Sequence, residues 1–139
     1  DQIDSFELLE SKENEIFKIF VSQHKNSKGK KGKFMTKNIE SYFENLLKLD
    51  GWKIFYLETN KGVVSTAFCY ESKKGCYLYN SSRDNQFNEM NPGIVLNDLI
   101  IQRLIINNKT FFDFLKGTER YKFDLGGEPV QLYDLNICL

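Results

Sequence analysis

Two stretches decide the fold: Asn91-Pro92-Gly93-Ile94-Val95-Leu96 and, one helix later, Phe111-Phe112-Asp113-Phe114-Leu115-Lys116-Gly117. Asn91 suits an N-cap and Pro92 the first helical position, where its missing N–H costs no hydrogen bond. Val95, Leu96, Leu99, Ile100, Arg103, Leu104 and Asn107 then recur along one side. This spacing predicts a helix over 94–108 that stops at Asn107-Asn108. Residues 110–115 read as a strand, and Lys116-Gly117 turns out of it.

Working outward from there, residues 52–58, 63–70 and 76–80 read as three strands. Asn60-Lys61-Gly62 and Ser72-Lys73-Lys74-Gly75 supply the turns between them. The run 63–70 is almost unbroken apolar sequence, as in a strand covered on both faces. Residues 81–90 read as a polar loop. Upstream, 3–10 reads as a short strand, and Ser11 or Asn14 opens a helix with Ile16, Phe17, Ile19, Phe20 and Gln23 as its stripe. A second helix starts at the N-cap Thr36, with Ile39, Tyr42, Phe43, Leu46 and Leu47 facing the core, and ends at Asp50-Gly51. The segment 25–33 between them, with five lysines, reads as a loop. At the C-terminus, 121–124 and 131–138 read as two more strands around Gly126-Gly127-Glu128-Pro129. The order β-α-α-β-β-β-α-β-β-β predicts an α+β (mixed α/β) fold: one mixed sheet of about seven strands with helices on both faces.

Composition narrows the function classes. The chain has 139 residues, 41% hydrophobic and 27% charged, which predicts one soluble globular domain over 1–139. Nineteen Lys+Arg balance nineteen Asp+Glu, against a globally basic nucleic-acid binder. Cys69, Cys76 and Cys138 are too scattered for a disulfide framework, and read as a reducing, cytoplasmic compartment. His24 is the single histidine, so a site needing two or three His ligands is excluded and no metal is expected. No apolar run approaches a membrane span. Asp1-Gln2-Ile3-Asp4 carries no leader pattern. The absence of a starting Met is compatible with one half of a larger tandem protein.

Four places could carry chemistry. The 91–95 helix start offers unpaired N–H groups and the positive end of the dipole to an anion, and Gly93 lets a ligand approach the backbone closely. Asn-Pro-Gly is also ordinary helix punctuation. Asp113, among aromatics, becomes a base if it faces inward and burial raises its pKa; otherwise it pairs with a lysine or faces solvent. Glu119, Tyr121 and Lys122 form a carboxylate, a phenol and an ammonium that together suit acyl transfer, or simply a polar loop. The lysines of 25–33 could grip a phosphate backbone or form a solvated loop. His24 reads as a helix-end residue rather than a base, and Cys69 and Cys76 as small core residues.

The segment 91–96, its helix, and Phe112-Asp113-Phe114-Leu115-Lys116-Gly117-Thr118-Glu119-Arg120-Tyr121-Lys122-Phe123 resemble the acetyltransferase domain of the GNAT superfamily in its CelD-type and FemAB-like branch. The resemblance implies the GNAT fold, with 76–80 as its fourth strand and 110–115 as its fifth. It implies transfer of an acyl group from acetyl-CoA or another acyl-CoA to a small-molecule or peptide amine. An aminoacyl-tRNA donor is implied for the FemAB-like relatives. Donor contacts would come from Asn91, Gly93, Ile94 and Val95 for the phosphates, and from the strand end at Asn80 and Ser81. Lys122 would act on the donor or the developing oxyanion, Glu119 or Asp113 as base, and Tyr121 as acid. The longer glycine-rich loop of standard members is reduced here to Gly93, and the helix after the fifth strand to at most 116–120. A non-catalytic binding module with the same sheet is the alternative.

Overall fold

The computed structural model describes residues 3–138; Asp1, Gln2 and Leu139, part of the terminal stretches read above, lie outside the described residues. Five strands form one mixed sheet in the order β1-β2-β3-β4-β5: β1 (Phe6–Ser11), β2 (Trp52–Thr59), β3 (Gly62–Glu71), β4 (Gly75–Arg83) and β5 (Phe111–Asp113). The first four pair antiparallel and β5 runs parallel to β4. Helices α1 (Asn14–Lys25), α2 (Lys30–Phe34) and α3 (Lys37–Leu47) precede β2. Helix α4 (Pro92–Ile106) makes the crossover from β4 to β5, and the short α5 (Arg120–Asp124) follows.

The two sides of the sheet carry separate cores. Phe17, Phe20, Val21, Phe43 and Leu47 of α1 and α3 pack on Ile54 and Phe68. Leu96, Ile100 and Leu104 of α4 pack on Phe55, Leu57, Ala67, Cys69, Cys76 and Leu78. Strand β3 is buried from both sides, which is why its sequence is nearly all apolar. Helices thus lie on both faces, as expected.

Several local expectations hold. Thr36 caps α3 by accepting the Ile39 N–H. Pro92 is the first residue of α4, and Asn107 and the left-handed Asn108 end it. Other expectations are corrected. The lysine-rich loop contains the one-and-a-half-turn helix α2. Strand β4 runs on to Arg83 through residues first read as loop, and 85–90 form a 3₁₀ helix. Asn91 occupies the cap position in the left-handed region, and its side chain makes no cap bond. Asn tolerates that conformation, which reverses the chain from the 3₁₀ helix into α4.

The sheet has five strands rather than about seven. Residues 121–124 lie in α5, where local i→i+4 bonding satisfies the backbone without a neighbouring strand. Residues 131–138, expected to form a strand, pair with no strand among the described residues, and Leu132, Tyr133, Leu135 and Ile137 are all exposed.

A close approach joins β4 to β5. A Cβ on Gly75 would lie 2.6 Å from both the ring and the carbonyl oxygen of Phe111. Because one of these is backbone, side-chain rotation cannot relieve the clash. Gly75→Ala is expected to cost about 1–3 kcal/mol, measured by urea unfolding. A loss within about 0.5 kcal/mol would show that the two strands do not meet as described.

Candidate functional site

Strand β4 is held by β3 along nearly its full length but by β5 only from Gly75 to Tyr77. From Leu78 onward its outer edge has no strand beside it among the described residues. The β4–β5 pair therefore opens into a fork, with Asp113 at the point of parting opposite Tyr77. Backbone groups on an unpaired stretch of this kind are available to a ligand.

A β-bulge marks the same place. Leu78 pairs with Cys69 and Asn80 with Phe68, so Tyr79 is an extra residue without a partner. A bulge bends the strand and reverses its alternation. Leu78 consequently faces the α4 core, whereas Asn80 and Ser82 both face α1. The sequence offered a signal: the apolar positions Cys76 and Leu78 are followed, at the same period, by Asn80 and Ser82.

The polar residues beyond the bulge lock α1 to β4. Ser82 Oγ donates to the Phe20 carbonyl at 3.1 Å and sits 2.6 Å from Thr66 Oγ1. Gln23 Nε2 donates to the Val63 carbonyl. His24, only 1% exposed, places Nε2 3.1 Å from Asn80 Oδ1. That oxygen also accepts the Ser81 N–H at 2.7 Å, which identifies it as the amide oxygen and puts the imidazole proton on Nε2. His24 Nδ1 is buried without a partner among the described residues. The ring is wedged between Phe20 and Phe34. Burial, and next the charge of Lys31, hold its pKa below the ordinary 6.5. Lys31 itself is depressed by desolvation of its ammonium and then by Arg83, although part of its side chain is exposed. His24 thus lies in the last turn of α1, as expected, but as a buried bridge to β4, a role that one isolated histidine could not disclose.

On the other side of β4, α4 begins where the edge becomes free. Ser65 Oγ, fully buried in β3, donates to the Pro92 carbonyl at 2.9 Å and fixes the helix start against the sheet. The N–H groups of Ile94 and Val95 both reach the Asn91 carbonyl, leaving Gly93 as the amide of this turn that neither bond uses. A Cβ on Gly93 would meet nothing within 4 Å, so packing does not require glycine there.

The remaining expected residues form a second group after β5. Asp113 is exposed, and its Oδ1 accepts the Leu115 N–H, so it does not face inward. Lys122 is 7% exposed, with Nζ 2.8 Å from Glu119 Oε2 and 3.0 Å from the Lys116 carbonyl. The bond from Lys122 holds Glu119 below the usual carboxylate range. Tyr121 packs edge-on against Phe114, and burial, then the Glu119 charge, pushes its phenol up. Asn80 and Ser81 are at the free edge, but Ser81 gives its N–H to Asn80.

Elsewhere, Lys25 is paired with Glu40 at 3.0 Å, so the lysines of 25–33 are not one solvated block. Cys69 and Cys76 are buried side by side as thiols, and burial pushes Cys69 up, which makes it unreactive. Among the described residues no cluster of three or more His, Cys, Asp or Glu is placed to hold a metal. No helix among them is long and apolar enough to cross a membrane.

The chain belongs to the acetyltransferase (GNAT) domain family, whose match covers residues 5–123. The fold is that of solved acetyltransferases. A possible acetyltransferase from Clostridium difficile 630 aligns with TM-score 0.73 at 12% identity, covering 99% of this chain and 100% of that one. An aminoglycoside acetyltransferase from an uncultured soil metagenomic sample, in complex with sisomicin, aligns with TM-score 0.63 at 14% identity over 96% of each chain. A predicted acetyltransferase from Clostridium acetobutylicum with acetyl-CoA aligns with TM-score 0.61 at 12% identity, covering 95% of this chain and 96% of that one. Comparison with curated proteins finds no match.

The His24 bridge has a pH signature. A depressed folded-state pKa means the unfolded chain takes up a proton first as pH falls below 6.5, so stability is lost in that direction and is unaffected above it. The slope from one group is at most about 1.4 kcal/mol per pH unit. Urea midpoints at pH 7.5 and 5.5 should fall more steeply for the native chain than for His24→Gln. Equal slopes would mean that His24 is not held neutral.

Proposed function

We propose that this domain transfers an acetyl group from acetyl-CoA to an amine, with the donor lying in the β4–β5 fork and its phosphates at the start of α4. The observation that carries the reading is the conjunction of the two: β4 loses its partner after Tyr77, and α4 opens beside that free edge with Gly93 uncovered. A helix start favours phosphate through its N–H groups and dipole. A thioester carbonyl laid along the free edge would find backbone N–H groups for the negative charge that develops on its oxygen.

In the reaction a neutral amine attacks the thioester carbon. The C–N bond forms, the C–S bond breaks, and the ammonium proton must leave as the thiolate gains one. Tyr121, a phenol that carries its proton at neutral pH, is the proposed acid. Asp113, exposed where β4 and β5 part, is the proposed base through the carboxylate oxygen that Leu115 does not use, not through burial. Glu119 is the weaker candidate, because Lys122 already occupies its carboxylate. Lys122 is proposed to organise the 116–122 loop through the Lys116 carbonyl and Glu119, and to present its charge to the donor from there. Asn91, Ile94 and Val95 shape the phosphate turn around Gly93. Asn80 and Ser81 line the edge, where a bound carbonyl would replace Asn80 as acceptor for the Ser81 N–H.

The Phe112-to-Phe123 motif supports assignment to the CelD-type or FemAB-like branch. Within that branch we favour a CoA thioester over an aminoacyl-tRNA, because the fork and the α4 start suit a slender donor with a pyrophosphate. The acceptor is a small-molecule or peptide amine, and the domain over 1–139 is proposed to act in the cytoplasm.

Acetyl-CoA at about 100 times its Kd should add about 2.7 kcal/mol of stability and raise Tm by several degrees. Gly93→Phe should keep the native Tm without ligand and lose the shift, since its side chain projects into open space. No shift for the native chain at millimolar acetyl-CoA would overturn the reading.

A further inference from the structure

The strand register lines up one row of side chains across four strands. Trp52 pairs with Tyr70, Tyr70 with Tyr77, and Tyr77 with Asp113. Residues directly opposite each other share a face, so these four lie side by side from β2 to β5. Neighbouring strands are about 4.8 Å apart, which makes the row roughly 14 Å long. Its rings touch in sequence: Trp52 to Tyr70 at 5.4 Å between centres, Tyr70 to Tyr77 at 6.2 Å, and Tyr77 to Phe111 at 5.1 Å. The bulge residue Tyr79 adds a further ring, 5.4 Å from Trp52 and 41% exposed.

This face is the one that α1 and α3 cover, but their core reaches only Ile54, Phe68 and the edge of Trp52. Tyr70, Tyr77 and Phe111 belong to neither core, and each is half-buried. Contiguous rings left open to water mark a binding surface. The end of the row decides what it takes. Asp113 is the one carboxylate among these residues, and no cation stands with them. Its Oδ1 accepts the Leu115 N–H, and its other oxygen has no partner among the described residues. An ammonium beside that oxygen, on an apolar body laid over the rings, complements both parts. Asp113 also stands where β4 loses β5, so a nitrogen held there is beside the free edge. Helix α4 lies on the other side of the sheet, which leaves the donor site clear.

We propose that this row is the acceptor site, and that the acceptor is a hydrophobic amine: a primary amine at Asp113 whose apolar body extends over Tyr77 and Tyr70 toward Trp52. The inference rests on the amine-transfer reading above, but occupancy of the row is measurable without a donor.

Trp52 is the single tryptophan, and its fluorescence reports the row directly. Titration with butylamine, hexylamine and octylamine at constant ionic strength should give saturable changes. Affinity should rise about two- to fourfold per added methylene, as for a chain partly or fully taken out of water. Alcohols of equal length should bind more weakly. Asp113→Asn keeps an oxygen for the Leu115 N–H, so the fold is retained; it should abolish the advantage of amine over alcohol and leave the dependence on chain length. Tyr77→Ala should flatten that dependence. Both variants should keep the acetyl-CoA thermal shift, because neither touches the start of α4, so failure of the acceptor site and failure of the donor site are read separately. Affinity independent of chain length overturns the proposal. So do alcohols that bind as well as amines, an amine preference that survives Asp113→Asn, or a row closed by a second copy, seen as twice the 16.3 kDa mass with no response to amines.

Discussion

The structure depends on β4 having one partner along most of its length. β3 holds its inner edge, and β5 reaches only its first three residues. A strand half released in this way cannot be left loose, because its unpaired amides and carbonyls would collapse onto any available acceptor or donor. Both neighbouring layers respond to that need. α1 grips the far half of β4 through Phe20, Gln23 and His24, which meet Ser82 and Asn80 beyond the bulge at Tyr79. α4 is pinned by Ser65 to the strand next door, so that its first turn stands at a fixed place beside the open edge. The bulge makes this possible: it sends Leu78 to one core and Asn80 and Ser82 to the other side, where they can bond α1.

Gly75 shows the same constraint from the closed end of the fork. β4 and β5 approach so tightly there that no Cβ fits, and they separate within three residues. Gly93 is its opposite. Nothing in the protein touches the space a side chain would occupy, and glycine costs helix stability relative to alanine. Packing therefore does not require glycine at this helix start, and the proposed donor site supplies a reason for it.

Much of the fold was legible in the sequence because it rests on local signals. The stripe of α4, the Pro92 start, the Thr36 cap and the glycine turns each report their own element. The resemblance in 91–96 and 112–123 carried the superfamily. What was not legible depended on pairing. Tyr121–Asp124 carries an apolar–polar alternation compatible with a strand, yet its backbone closes locally as a short helix. Residues 131–138 read as a strand but have no partner strand among the described residues. Asn80 and His24 lie far apart in sequence, and only the bulge turns them to the same side. Asp113 was singled out for aromatic neighbours, but its carboxylate bonds its own turn and looks outward.

The central claim is that the free edge of β4 and the start of α4 form one donor site. Titration of the isotopically labelled protein with acetyl-CoA, followed by backbone amide NMR, tests it residue by residue. The account predicts saturable shifts at Gly93, Ile94 and the amides of 78–83, including Ser81 as it exchanges its Asn80 acceptor for the ligand. Shifts confined to other surfaces, with Gly93 and the β4 edge unmoved, would contradict it.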